Sequence, residues 1–112
     1  MTDTILHQDR GNGIAVMTLN RPPVNAISAA FLADVEAHLK HLENDPGVRA
    51  VIVASAFKVY SAGLDLKEAH TFSDEDQVAI VDRFTTAFAA LYRFPKPVVA
   101  AVSGAAIAGG LF

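Results

Sequence analysis

Two runs of small and β-branched residues constrain this chain more than anything else in it: Ala50-Val51-Ile52-Val53-Ala54 and Val98-Val99-Ala100-Ala101-Val102. Each has the length of a strand and is wholly apolar, the pattern of a strand buried on both faces. A segment of helical period lies between them. Strand, helix and strand in that order imply parallel pairing through a right-handed crossover. Both runs then leave through small residues and glycine. Tyr60-Ser61-Ala62-Gly63-Leu64-Asp65-Leu66 follows the first, and Ser103-Gly104-Ala105-Ala106-Ile107-Ala108-Gly109-Gly110 follows the second. Such exits let backbone approach a ligand closely and leave N–H groups free to donate. Two of them side by side can bring two N–H donors to one point, which is what holding an oxyanion requires.

The remaining segments supply the other elements of an α/β domain spanning residues 1–112. Residues 5–10 and 14–19 flank Gly11-Asn12-Gly13, a hairpin signal in which Asn-Gly supplies the positive-φ turn. Asn20-Arg21-Pro22-Pro23-Val24-Asn25 cannot continue a strand, because two prolines remove ladder donors. Ser28 caps a helix running to about Asn44, with Phe31, Leu32, Val35, Leu39 and Leu42 as its apolar stripe. Asp45-Pro46-Gly47 ends it, and a strand near 48–55 follows. Residues 67–72 carry no clear pattern. Ser73 caps a second helix whose Asp74, Glu75 and Asp76 complement the helix dipole. Its expected buried face is Val78, Val81, Phe84, Phe88 and Leu91, and Phe94-Pro95-Lys96-Pro97 terminates it. The expected order is β-β-α-β-α-β, with the strands near 48–55 and 97–102 adjacent and parallel.

Composition narrows the function classes. Hydrophobic residues make up 52% of the 112, enough for a packed core. A net charge of −3 offers no basic field, so a nucleic-acid partner is not expected. There is no cysteine, which removes disulfides and thiolate metal sites and fits a cytoplasmic setting. The start, Met1-Thr2-Asp3-Thr4, has no signal-peptide pattern, and no apolar run is long enough to span a membrane. Pro97 to Phe112 carries no charge, which suggests chain ending inside a larger core, a truncated domain. The alternative is a small complete domain with a buried last strand. His38 and His41, with Asp34 one turn earlier, share a helical face; they are expected at the solvent border of the stripe rather than as metal ligands. Asp65, just after a glycine turn, is expected to fix its loop by accepting hydrogen bonds.

Three segments together resemble the enoyl-CoA hydratase/isomerase family, the crotonase superfamily. They are Leu19 to Ala26, Tyr60 to Glu68, and Pro95 to Gly110, which follow one another in the order of that family's signatures. The resemblance covers nearly the whole chain but only the N-terminal half of a family domain. It implies a crotonase-like spiral of ββα units, trimers or hexamers of the full-length form, and acyl-CoA thioester substrates. Coenzyme A enters only as part of the substrate, without a separate cofactor.

The resemblance also implies roles for particular residues. The N–H groups of Leu64 and Gly109 would form the oxyanion hole. Pro23, Val24, Ala62, Gly63, Leu64, Asp65 and Leu66, with Ala105, Ile107, Ala108 and Gly109, would line the CoA groove. Read without the resemblance, the same glycines allow tight strand–helix packing. Two departures stand out. Many members carry a lysine in the first signature, where this chain has Pro23 and Val24; Lys58 and Lys67 are nearby but are expected as solvated surface lysines. Hydratases of the family use two glutamates. The first falls on Phe112 here, and the second lies beyond it. Ser61 to Leu66, followed by Ala108-Gly109-Gly110 and an apolar residue, looks more like the Δ3,Δ2-enoyl-CoA isomerase branch. Three expectations therefore stand: part of an isomerase or hydratase, a non-catalytic CoA-binding or subunit-interaction fragment, or a truncation product without a role of its own. The segment alone is expected to be a poor catalyst.

Overall fold

A computed structural model describes residues 5–65, 71–102 and 104–106. The order is β1 (Ile5–Asp9), β2 (Ile14–Leu19), α1 (Ala29–Asn44), β3 (Ala50–Ser55), α2 (Asp74–Tyr92) and β4 (Val98–Ala100), as the alternation of patterns implies. The four strands form one sheet in the order β1-β2-β3-β4. β1 and β2 are antiparallel, with Ile5 opposite Leu19 and Asp9 opposite Ala15. Their turn works as expected: Gly11, Asn12 and Gly13 have φ of 82°, 57° and 81°. β2 pairs parallel with β3, Leu19 opposite Ser55, and β3 pairs parallel with β4, Val53 opposite Ala100.

The helices begin where their caps place them. Ser28 Oγ accepts the Phe31 N–H at 3.1 Å. Ser73 and Asp76 form a reciprocal capping box, with the Asp76 N–H on Ser73 Oγ at 3.2 Å and the Ser73 N–H on the Asp76 carboxylate at 3.0 Å. Loss of such a cap costs about 1 kcal/mol. Lys96, whose part the sequence did not reveal, closes the other end of α1. Its ammonium donates to the carbonyls of Leu42 and Asp45 at 2.7 and 2.8 Å, where the helix dipole favours a cation.

The core joins the sheet to α1. Ala15, Met17 and Leu19 of β2, and Val51 and Val53 of β3, alternate inward against Phe31, Leu32, Val35, Leu39 and Leu42. Leu42 and Val51 are fully buried, and each side chain of that size contributes about 1.5–3 kcal/mol.

Two expectations need correction. The strand runs are not buried on both faces. Ile52 is only half-buried, while Val99 and Val102 are 60% and 54% exposed. Among the described residues β4 is an edge strand that pairs only with β3. The buried face of α2 also differs. Ile80 and Ala87 are its buried residues, with Phe84 and Leu91 partly covered, whereas Val78 and Val81 are 64% and 62% exposed. The helix carries two apolar stripes, and α1 covers only the one that includes Ile80 and Ala87. Periodicity alone cannot choose between them.

Candidate functional site

β2, β3 and β4 run parallel, so the chain leaves all three at the same end of the sheet. That is the end where parallel sheets commonly hold ligands. The first loop (20–27), the second (56–65) and the described part of the third (101–106) meet there.

Main-chain bonds stitch the first two loops together. The Ala62 N–H donates to the Val24 carbonyl at 3.0 Å, the Ile27 N–H to the Gly63 carbonyl at 2.6 Å, and the Asp65 N–H to the Ile27 carbonyl at 2.8 Å. Ile27 and Leu64 thereby form a one-residue parallel bridge. Gly63 makes the approach possible, since its φ of 82° is one that side chains other than glycine rarely adopt. The third loop joins through Ala105, whose carbonyl accepts the N–H groups of Tyr60 and Ser61 at 2.9 and 3.3 Å, and Ser61 bridges Ala106. Gly104 lies so close to the second loop that a Cβ on it would stand 1.7 Å from the Lys58 carbonyl oxygen.

The arrangement has a chemical consequence at Leu64. In a parallel bridge the groups flanking the central residue face the partner strand, and the central residue's own N–H faces away. The Gly63 carbonyl and the Asp65 N–H are taken by Ile27, and the Leu64 N–H has no acceptor among the described residues. Leu64 is half-buried, and an unpaired N–H in such a place is a donor available to a ligand.

Two polar residues outside the expected site set tie these loops together. Asn25 is fully buried, with φ 52°. Its Nδ2 donates to Ser55 Oγ at 2.8 Å and to the Tyr60 carbonyl at 2.9 Å, and its Oδ1 accepts the Arg21 N–H at 2.8 Å. Arg21 in turn donates to the Ala26 carbonyl at 2.5 Å and pairs with Asp65 at 2.8 Å. Asp65 therefore fixes its loop, as the glycine-turn context implies. The signals for the other two were weak: an asparagine after a proline pair tolerates left-handed backbone, while the arginine's partner is distant in the chain.

The other expected site residues fall as follows. Pro23 is exposed, Val24 and Ala62 are half-buried, and Ala105 is exposed. Leu66, Lys67, Ile107, Ala108, Gly109 and Phe112 lie outside the described residues, so the convergence expected of Leu64 and Gly109 does too. Lys58 is exposed. An apolar cleft of about 440 Å³ opens between sheet and helices beside the site, lined by Met17, Phe31, Tyr60, Ala87, Leu91 and Val98 among others. Burial pushes the Tyr60 phenol above its ordinary pKa.

Away from the site, His41 is exposed and His38 half-buried, as expected of the stripe's border. The His7 ring approaches both edge-on, at centroid separations of 5.8 and 6.5 Å. No three side chains among the described residues stand as a metal-binding group. No helix among them is long and apolar enough to cross a membrane.

Comparison with known proteins shows the family and the fold. Residues 9–112 match the family described as Enoyl-CoA hydratase/isomerase. A probable enoyl-CoA hydratase of Bacillus subtilis is 37% identical over 99 residues, covering 88% of this chain and 38% of that protein. Human mitochondrial enoyl-CoA delta isomerase 1 is 37% identical over 107 residues, covering 95% and 35%. Among solved structures, human mitochondrial delta3-delta2-enoyl-CoA isomerase superposes with a TM-score of 0.91 at 37% identity, over 96% of this chain and 43% of that one. Pseudomonas aeruginosa DspI gives 0.91 at 31% identity, over 98% and 45%. The chain thus spans less than half the length of these relatives.

Proposed function

We propose, from the premise that the chain belongs to the enoyl-CoA hydratase/isomerase family, that it is the acyl-CoA-binding part of an enoyl-CoA isomerase or hydratase. One observation carries the reading: the Leu64 N–H, without an acceptor among the described residues and aimed away from Ile27 by the bridge that the flanking residues make. A thioester carbonyl oxygen placed there accepts this hydrogen bond. It accepts it more strongly as an enolate, because negative charge develops on that oxygen. One such donor contributes roughly 2.7–4 kcal/mol to a transition state. Gly109 is the proposed second donor. Pro23, Val24 and residues 62–66, with Ala105, Ile107 and Ala108, are the proposed CoA contacts, and the apolar cleft beside Tyr60 gives an acyl chain a surface next to the thioester. Coenzyme A is present only as part of the substrate. The full-length form is proposed as a cytoplasmic trimer or hexamer.

Holding an oxyanion does not move a proton, and turnover needs an acid or base matched to that task. Asp65 adjoins Leu64, but its carboxylate is held by Arg21. The 112-residue chain is therefore expected to bind acetyl-CoA yet leave 2-enoyl- and 3-enoyl-CoA unchanged. Titration with acetyl-CoA, followed by the enoyl absorbance of each substrate, tests both halves. Absence of binding defeats the proposal; family-like turnover defeats the assignment of Asp65 to structure.

A second reading, a subunit-interaction segment, is favoured by the exposure of Val78, Val81, Val99 and Val102. Sedimentation distinguishes it. Self-association without acetyl-CoA binding is its signature.

A further inference from the structure

The Asn25 side chain is fully buried, and two of its three hydrogen bonds reach other segments of the chain. Its Nδ2 holds Ser55 at the end of β3 and the Tyr60 carbonyl in the second loop. Its Oδ1 holds the Arg21 N–H within the first loop. Its own carbonyl accepts the Ser61 hydroxyl at 2.9 Å, and Ser61 Oγ also accepts the Gly63 N–H at 3.2 Å. Tyr60 and Ser61, gripped from this side, hold Ala105 of the third loop from the other.

We infer that Asn25 is the positioning residue of the site, the group that keeps three loops in one register and so aims the Leu64 N–H. The inference rests on reading Leu64 as the donor to a thioester oxygen. The chemistry is selective. A carboxamide both accepts and donates, whereas a carboxylate cannot donate and an aliphatic side chain does neither. The left-handed backbone, φ 52°, further favours asparagine or glycine here. A residue that only stabilised the fold would lower the folded fraction and leave the affinity of folded molecules unchanged.

The test uses the ¹⁵N-labelled 112-residue chain, acetyl-CoA as the probe, and the backbone amide of Leu64 as the reporter. Asn25→Gly keeps the left-handed backbone and removes the side chain. Asn25→Asp keeps the acceptor and loses the donor. Ser73→Ala, in the remote cap of α2, is a control for lost stability alone. Both Asn25 variants are expected to move the Leu64 resonance before any ligand is added and to weaken acetyl-CoA binding about tenfold or more, with Ser73→Ala doing neither. A folded Asn25→Asp or Asn25→Gly with the wild-type resonance and affinity overturns the inference. Should both fail to fold, Ser61→Ala breaks the same path one step nearer Leu64, with the same expectation and the same overturning result. A wild-type chain that ignores acetyl-CoA defeats the acyl-CoA reading, and the ligand-free spectra then decide: a Leu64 shift in the Asn25 variants alone supports the positioning role, and an unmoved Leu64 overturns it.

Discussion

Arg21 and Asp65 stand 2.8 Å apart across two loops, although 44 residues separate them in the chain. Their side chains are 26% and 17% exposed, so water only partly screens the pair. Arg21 also holds the Ala26 carbonyl, which makes the guanidinium a clamp on both loops.

Removing either partner should therefore cost more than breaking an open surface pair. Arg21→Ala and Asp65→Ala are each expected to destabilise the chain by about 1–2 kcal/mol in urea unfolding. The double variant should cost less than the sum. Additive losses would show that the two act independently.

Gly104 offers a steric prediction. A Cβ there would meet the Lys58 carbonyl oxygen at 1.7 Å, whereas one on Gly47 meets only Asp45 Oδ1, at 3.2 Å. Gly104→Ala should cost roughly 1–3 kcal/mol by forcing backbone apart, and clearly more than Gly47→Ala. Equal melting temperatures for the two variants would contradict the close approach.

Tyr60 makes stability fall at high pH. Burial raises its folded-state pKa, so the folded chain keeps a proton that the unfolded chain releases. The contribution is fully present below the unfolded value of about 10 and is lost as pH rises from there through the folded value. The urea midpoint of the wild type should drop between about pH 8 and pH 11 by more than that of Tyr60→Phe. Tyr92, 93% exposed, remains in both proteins as a common background. Parallel declines would remove Tyr60 as the cause.

Lys96 ties the segment before β4 to the end of α1. Lys96→Met keeps the aliphatic stem and removes both bonds. It should lower stability by about 1–2 kcal/mol and speed amide exchange in the last turn of α1. Unchanged exchange there would mean that water replaces the ammonium without loss.

Much of the fold was legible because its signals are local. Gly11-Asn12-Gly13 specifies a hairpin, Ser28 and Ser73 mark helix starts, and the two β-branched runs announce parallel strands. Three ordered signatures also pointed to the second loop as the candidate site. The stripe of α2 that faces α1 was not legible, because both of its faces are apolar and tertiary packing makes the choice. Nor were the bonds of Asn25, Arg21 and Lys96, whose partners lie 30 to 54 residues away. Nothing in the neighbourhood of a residue encodes a partner at that separation.

Because β2, β3 and β4 all point the same way, the sheet has one end where the three loops meet and a connecting end. Gly11 to Gly13, Asp45 to Arg49 and Arg93 to Pro97 make the turns at the connecting end. Lengthening Gly11–Gly13 would change the outline of the protein without displacing a single bond among the three loops. The opposite rim has no such latitude: one residue added between Asn25 and Ile27 would slip Ile27 against Leu64 and turn the Leu64 amide towards the wrong side. Variation in length among related chains should accordingly gather at one pole of the sheet, with the other held to a constant count.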